Sequence, residues 1–262
     1  MSEYMNILEI KDLTKTYGSG HRAVDGLSLN VPRGSIFGFV GLNGAGKTTT
    51  IRIIAGLCDM DSGTLTMFGN RRDERDVLYK KDIGFVLDEP LYFDWMSANE
   101  YLHFVGVMYG LPDQDVRSRT EELLQFFDLE AKRDEPIAEY STGMKKKTSL
   151  AAAIIHKPRL IILDEPLEGI DALAANAIKE SLALMASRGT TVFISSHILD
   201  TIERFCTDVA IIHEGKLVLQ CKTSDIRSRA RGSLADATYQ SLEELFVDLL
   251  SEKNKKKHLS WL

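Results

Sequence analysis

Cysteine is scarce in this 262-residue chain, which has three, at positions 58, 206 and 221. They are scattered, and no pair has the spacing of a metal-binding or redox motif, so we expect inert thiols in a reducing compartment. No stretch approaches the roughly 20 apolar residues of a membrane-spanning helix. The N-terminus lacks the basic and then apolar segments of a signal peptide. If the protein works at a membrane, we therefore expect another chain to span it.

Basic residues are also fewer than acidic ones. The chain has 32 basic and 38 acidic residues, a net charge of −6. Such a balance gives no electrostatic footprint for nucleic acid, and we expect no nucleic-acid partner. One basic cluster, Lys253 with residues 255–257, is interpreted as a solvated tail. The length allows one large α/β domain or two small ones.

A glycine-rich stretch at residues 41–48 fits the phosphate-loop pattern at every fixed position. The stretch comprises Gly41, Leu42, Asn43, Gly44, Ala45, Gly46, Lys47 and Thr48, with Thr49 directly after it. An apolar run at residues 36–40 predicts a buried strand before it, and helical spacing predicts a helix over residues 48–57. Strand, turn and helix together direct backbone N–H groups and a helix N-terminus at phosphate oxygens. We expect Lys47 to reach the β- and γ-phosphates of a nucleotide and Thr48 to ligate Mg²⁺.

Two acidic residues follow a second apolar strand, predicted at residues 160–163. A strand that ends in carboxylates delivers them to the edge of the sheet where ligands bind. We expect Asp164 to hold the hydration shell of Mg²⁺ and Glu165 to polarise or deprotonate the attacking water. His197 follows another predicted strand, at residues 191–195, and is interpreted as a hydrogen-bond donor to the γ-phosphate.

A second anion site is predicted where another helix begins. Ser141 is a good N-cap, and the exposed N–H groups near Gly143 suit a phosphate. Because the chain already has one phosphate site, we infer that this second phosphate is brought by another subunit.

Tyr17 stands in a predicted loop upstream of the phosphate loop. It is interpreted either as a stacking platform for a purine ring or as a half-buried loop tyrosine.

Alternating strands and helices predict a mainly parallel sheet covered on both faces. Short strands are expected at residues 7–10 and 23–31, with a loop between them, and an irregular segment at residues 69–81. A strand-poor helical segment spans residues 97–156 and opens with a capping box at Ser97. A C-terminal helix at residues 241–250 is expected to pack on the core, in preference to mediating dimerisation or contacting a partner.

Together these motifs resemble the ATP-binding subunit of ABC transporters over residues 7–220. Residues 41–48 are similar to the Walker A motif, 160–165 to Walker B, 140–145 to the signature, 169–171 to the D-loop, His197 to the switch histidine and Tyr17 to the adenine-stacking aromatic. The resemblance implies the α/β ABC ATPase fold of P-loop NTPases, with a mainly parallel sheet core, an N-terminal antiparallel β subdomain and an inserted helical subdomain. The implied ATP-binding domain is 5–220, with its core at 5–87 and 157–220 and its insertion at 88–156, and a helical tail follows at 221–262.

The resemblance also implies a function. Such a subunit hydrolyses ATP with Mg²⁺ to power a separately encoded membrane permease. It forms a head-to-tail dimer, here expected to be a homodimer, in which each ATP lies between the Walker A motif of one subunit and Ser141 and Gly143 of the other. The inserted helices touch the permease, and the subunit is cytoplasmic, held on the inner face of the membrane.

Two departures from the family pattern refine this expectation. Asp88 stands where a glutamine is common, and a carboxylate there can still bind Mg²⁺, directly or through water. The signature carries Thr142 in place of a frequent glycine and follows Tyr140 rather than leucine. This variant is most similar to ABC-2 type subunits, which generally serve exporters of drugs, antibiotics, peptides, lipids or polysaccharides.

Two alternative functions are also compatible with the sequence. A soluble ABC-type mechanoenzyme acting on DNA or the ribosome is disfavoured by the single cassette, the absence of a long coiled coil and the acidic balance. The ATPase subunit of an importer is not excluded, although no large C-terminal regulatory domain is recognised. The transported substrate is not encoded here, because in this architecture the permease makes the substrate contacts.

Overall fold

The computed structural model describes residues 5–18, 20–72, 77–88, 93–226 and 239–251. The strands in these ranges are β1 Asn6–Tyr17, β2 His21–Pro32, β3 Ile36–Val40, β4 Ser62–Met67, β5 Asn70–Arg71, β6 Ile83–Val86, β7 Leu160–Asp164, β8 Thr191–Ser196, β9 Asp208–His213 and β10 Lys216–Lys222. The helices are α1 Lys47–Ala55, α2 Ala98–Met108, α3 Asp113–Phe126, α4 Thr142–Ile154, α5 Ala172–Ser187, α6 Leu199–Phe205 and α7 Leu242–Ser251.

The strands form two sheets. A six-stranded sheet has the order β10-β9-β3-β8-β7-β6, and a four-stranded sheet has the order β2-β1-β4-β5. In the larger sheet the five strands from β9 to β6 run parallel, and β10 pairs antiparallel with β9 at one edge. The smaller sheet is antiparallel throughout. This arrangement confirms the predicted fold, a mainly parallel core with an N-terminal antiparallel sheet.

Both faces of the larger sheet are buried, as predicted. Alternate residues of a strand point to opposite faces. In β3, Phe37 and Phe39 belong to the core shared with the antiparallel sheet and α1, whereas Ile36 and Val40 belong to the core shared with the other helices. Phe37 stacks on Phe193 of β8, with 5.5 Å between ring centroids. Every residue of β3 is thus apolar because each face of the strand packs into a different core.

Helices α2, α3 and α4 lie in the chain between β6 and β7, where the sequence predicted a helical segment. Ser97 caps α2 with the predicted capping box. The Ser141 hydroxyl caps α4 by accepting a hydrogen bond from the amide of Met144 at 3.2 Å. Helix α4 packs so closely on β6 that a Cβ added at Gly84 would lie 2.1 Å from the carbonyl oxygen of Ala153. The domain boundaries at 88 and 156 stay a prediction.

The N-terminal region differs from the expectation of short strands and a loop. β1 and β2 are 12 residues each and pair from Asn6 and Pro32 to Tyr17 and His21. Tyr17 therefore ends a strand, and its predicted loop position was wrong. The polar residues after position 10 belong to an antiparallel sheet that is partly solvated, where polar side chains are compatible with a strand. The segment predicted as irregular also contains β5 and a 3₁₀ turn, Leu78–Asp82.

The C-terminal helix packs on the core, as expected. Leu242, Phe246 and Leu250 are buried among the helices, and the amide of Leu242 donates to the Glu203 carboxylate at 2.7 Å. The basic cluster at positions 253 and 255–257 lies outside the described residues. Within the ranges the structure covers, no helix has the length and apolar character needed to cross a membrane.

Candidate functional site

The phosphate loop, Asp164, Glu165 and His197 lie at or just after the carboxyl ends of three adjacent parallel strands, β3, β7 and β8. In the register of β3, β8 and β7, Val40 pairs with Ser196 and Asp164 pairs with Ser195. Because the strands are parallel, the segments after them emerge at the same edge of the sheet. The phosphate loop after β3 is therefore brought beside the acidic pair of β7.

The phosphate loop needs its glycines. A Cβ at Gly41 would lie 2.5 Å from the carbonyl oxygen of Ile212, and one at Gly46 would lie 2.3 Å from that of Ala23. Gly46 also has a φ of +103°, a backbone conformation that residues other than glycine rarely adopt. Lys47 begins α1 and is buried, and its Nζ donates to the carbonyl of Gly41 at 2.8 Å. The loop thus curls around the lysine ammonium.

A cavity of about 480 Å³ opens beside this loop. Nine predicted site residues line it: Tyr17, Asn43, Gly44, Gly46, Lys47, Thr48, Thr49, Asp88 and Glu165. His21, Ala23 and Glu168 complete the lining. Phosphate loop, aromatic side chain and carboxylates therefore share one cavity.

Asp164 lies at the end of β7 and is 1% exposed. Its Oδ1 accepts a hydrogen bond from the Ser195 hydroxyl at 2.5 Å. Its Oδ2 is buried and has no hydrogen-bond partner among the described residues. Burial raises the pKa of Asp164, and the neighbouring hydroxyls of Ser195 and Thr48 oppose that rise. An unpartnered carboxylate oxygen beside the hydroxyl predicted to ligate magnesium suits a hard divalent cation.

Glu165 is held on several sides. Its backbone N–H donates to the Ser195 hydroxyl at 3.0 Å. Its Oε1 lies 3.5 Å from Nζ of Lys47, and its Oε2 lies 3.1 Å from Nδ1 of His197. The residue has a φ of +46°, in the left-handed region. The carboxylate is thereby fixed between an ammonium and an imidazole at the wall of the cavity.

Some predicted residues lie apart from this cavity. Ser141 and Gly143, at the start of α4, are not among the described residues that line it. Leu42 is about half exposed, and Ala45 is buried in the core shared with the antiparallel sheet. His197 reaches the site through its contact with Glu165.

Five contributors to the site had no role in the sequence prediction. His21, Ala23 and Glu168 line the cavity, and Ser195 and Lys146 contact the residues at its wall. His21 was missed because the β1–β2 hairpin that pairs it with Tyr17 was interpreted as a loop. Ser195 and Lys146 lie inside motifs whose neighbours were singled out, and their contacts with residues 164–168 join distant parts of the chain. The polar ending of an otherwise apolar β8 was the available signal for Ser195.

Comparison with known proteins agrees with the resemblance noted in the sequence. The profile of the family described as ABC transporter matches residues 24–168. The chain is 34% identical to the linearmycin resistance ATP-binding protein LnrL of Bacillus subtilis (strain 168), over 92% of this chain and 78% of that protein. It is 36% identical to the bacitracin transport ATP-binding protein BcrA of Bacillus licheniformis, over 86% of this chain and 72% of the relative.

A solved structure described as the ATP-binding subunit of an ABC transporter is also similar. The two chains share 32% identity and superpose with a TM-score of 0.83, over 93% of this chain and 99% of the other. The whole cassette is therefore matched in both sequence and structure. The chain belongs to the ABC transporter family, as an ATP-binding subunit of the kind that hydrolyses ATP for transport.

Proposed function

We propose that this chain powers export by a separately encoded membrane permease of the ABC-2 type, with Glu165 as the residue that activates water. The observation that carries the proposal is the placement of Glu165 on the wall of the phosphate-loop cavity, with its carboxylate between Lys47 and His197. Export is supported by relatives named for bacitracin transport and linearmycin resistance.

The described side chains suit hydrolysis of the γ-phosphate bond. Lys47 would bind the β- and γ-phosphates, and its ammonium would then exchange its contacts with the Gly41 carbonyl and Glu165 for the phosphate oxygens. The freed Glu165 carboxylate is then available to orient a water and accept its proton. His197 is hydrogen-bonded to the same carboxylate through Nδ1. It would donate a further hydrogen bond to the γ-phosphate, where negative charge develops.

Mg²⁺ fits the same site. Thr48 and Asp164 would hold it, with Asp88 as a further oxygen ligand from the cavity wall. The buried, unpartnered Oδ2 of Asp164 is the observation that supports this assignment. When bound, the ion would neutralise charge on the phosphate oxygens.

Tyr17 would stack on the adenine ring. It is 40% exposed at the end of β1 and lines the same cavity as the phosphate loop. An exposed aromatic face beside a phosphate site is available to a purine ring.

A head-to-tail homodimer accounts for the position of the second anion site. Ser141 and Gly143 lie at an accessible helix N-terminus outside the cavity of their own subunit. A helix N-terminus binds phosphate through its free N–H groups. We therefore assign these residues to the ATP held by the partner subunit.

The permease would dock on the helical segment. Phe93, Trp95 and Phe104 form an exposed aromatic patch, with Trp95 71% exposed and Phe93 in ring contact with both others. A groove of about 790 Å³ runs from Phe104 to Arg133 beside it. Contiguous exposed apolar surface of this kind is typical of protein-binding sites. Attachment through this patch would place the subunit on the inner face of the membrane.

The chemistry is tested by two variants. Glu165→Gln should lower ATP turnover on the order of 10²-fold or more while leaving ATP binding intact, because the amide cannot accept the proton. Lys47→Ala should instead weaken ATP binding at least about 10-fold, since it removes a charge-assisted contact. Turnover is measured as phosphate release and affinity by nucleotide titration. A normal rate for the first variant, or unchanged ATP affinity for the second, would refute the assigned role.

The partner is tested by purification from host membranes in mild detergent. The tagged chain should retain a multi-span protein at stoichiometric yield, and Trp95→Asp should lose it because a charge replaces an exposed aromatic contact. Val247→Asp is the matched control, since Val247 is 58% exposed on α7, outside the patch. Soluble partners alone, with the chain absent from membranes, would contradict the transport proposal and favour the mechanoenzyme alternative.

The direction of transport is tested in cells. A strain that carries the Glu165→Gln variant should become more sensitive to membrane-active and peptide antibiotics than the parent strain. A growth defect that is relieved by an excess of one nutrient, with unchanged antibiotic sensitivity, would instead identify an importer.

A further inference from the structure

Lys146 lies on α4 and reaches the turn that follows β7. Its Nζ donates to the carbonyl oxygen of Glu165 at 2.9 Å and also to the carbonyl oxygen of Glu168. The same turn is closed by a hydrogen bond from the amide of Glu168 to the carbonyl of Glu165 at 3.2 Å. One ammonium group therefore binds both ends of the turn 165–168 to α4.

The turn has a backbone that needs such support. Glu165 has a φ of +46°, a conformation that residues other than glycine rarely adopt and that persists where the surroundings impose it. The Ser195 hydroxyl holds the amide side of Glu165, and Lys146 holds its carbonyl side. Both polar groups of the Glu165 backbone are therefore hydrogen-bonded to side chains from other elements.

The charges around Lys146 also favour its position beside the turn 165–168. Burial lowers the pKa of Lys146, and the carboxylates of Asp88, Glu168 and Glu165 oppose that effect. Asp88, Glu165 and Glu168 also line the cavity of the phosphate loop. Lys146 is thus a cation set among three acidic groups of the site, and its hydrogen-bond donors are directed at backbone.

We propose that Lys146 is a positioning residue for Glu165, holding the turn 165–168 in the strained conformation that aims the Glu165 carboxylate into the cavity. The inference rests on the proposed water-activating role of Glu165. It also links two sites. Ser141, assigned to the partner's ATP, caps α4, and Lys146 connects that helix to the residue that acts on the subunit's own ATP.

The test removes the ammonium and retains the length of the side chain. Lys146→Met should lower kcat for ATP hydrolysis at least about 10-fold, because a small displacement of a catalytic group is costly. ATP affinity and KM should stay within about twofold to threefold of the parent, since phosphate-loop contacts are untouched. Lys146→Arg keeps donors at this position and should recover most of the lost rate. If the Met variant does not fold, Lys146→Gln takes its place.

Lys132→Gln is the matched control. Lys132 lies in the same helical segment, is exposed, and pairs with the partly buried Glu135 at 2.8 Å. Its loss should leave kcat within twofold of the parent.

A double-mutant cycle separates positioning from general damage. If Lys146 acts through Glu165, Lys146→Met should lower the residual rate of the Glu165→Gln protein less than twofold. Full multiplication of the two losses would overturn the proposal. So would parental turnover in Lys146→Met, an equal loss of ATP affinity and kcat, or an Arg variant no better than Met. A parental rate in Glu165→Gln alone would instead refute the proposed function.

Discussion

Ser195 is the residue whose removal tests most directly how the site is assembled. Its buried hydroxyl accepts from the backbone N–H of Glu165 at 3.0 Å and donates to Oδ1 of Asp164 at 2.5 Å. In Ser195→Ala, the Glu165 amide is left as a buried donor without its partner, which costs about 1–3 kcal/mol. The Asp164 carboxylate loses a hydrogen bond to a charged group, worth about 1.5–3 kcal/mol.

Because the two losses share one hydroxyl, they are not fully additive, and we expect unfolding to become easier by about 3–4 kcal/mol. For a chain of this length that corresponds to a fall in Tm of roughly 6–16 °C. ATP turnover should also fall about 10-fold, since Glu165 loses an anchor of its backbone. Denaturant unfolding followed by circular dichroism gives the stability, and phosphate release gives the rate.

Ser196→Ala is the matched control for this experiment. The Ser196 hydroxyl is also buried, but it accepts one local bond from the amide of Ile198 at 3.0 Å. Its loss should cost about 1 kcal/mol or less. A Ser195→Ala protein that is as stable as Ser196→Ala and hydrolyses ATP within twofold of the parent rate would show that Ser195 does not hold Asp164 and Glu165 in place.

Two further predictions concern the packing of the helical segment. Gly84→Ala should destabilise the protein by about 3 kcal/mol, because its Cβ would lie 2.1 Å from the backbone oxygen of Ala153. Gly18→Ala is the control for urea unfolding, because among the described residues nothing outside its chain neighbours lies within 4 Å of the added Cβ. Equal stability of the two variants would show that the close approach at Gly84 carries no such cost. His156 stacks on Tyr109, and burial is the main cause that lowers its pKa from 6.5 to about 4. The unfolded chain takes up a proton below pH 6.5 and the folded chain does not until about pH 4. Stability therefore falls with decreasing pH across that window, by about 2 kcal/mol from pH 7 to pH 5. His156→Phe should remove that part of the pH dependence of denaturant unfolding, and identical losses in parent and variant would show that His156 is not its source.

Much of the fold follows from local patterns. The apolar runs of β3 and β7 and the glycines of the phosphate loop predicted a parallel sheet with a phosphate site at its edge. The N-caps Ser97 and Ser141 were also predicted correctly, because a cap depends on residues three positions apart. The amphipathic C-terminal helix was predicted to pack on the core, and Phe246 and Leu250 do so.

The antiparallel hairpin of β1 and β2 was harder to predict from the sequence. Tyr17 and His21 lie at the end of long, partly solvated strands whose polar residues resemble those of a loop. The pairing of the strands, rather than their composition, determines that both residues line one cavity.

The sequence by itself determined which chemical groups this protein carries and which strand ends deliver them. Local backbone geometry and the periodicity of burial depend on residues that are neighbours in the sequence. A phosphate loop and an acidic strand end can therefore each be recognised from a short stretch of sequence. The tertiary structure alone decided that Ser195 joins Asp164 to the amide of Glu165 and that Lys146 holds the far side of the same turn. These contacts link residues 19 to 31 positions apart. They exist because parallel strands align in register and α4 packs beside them, which no local pattern specifies.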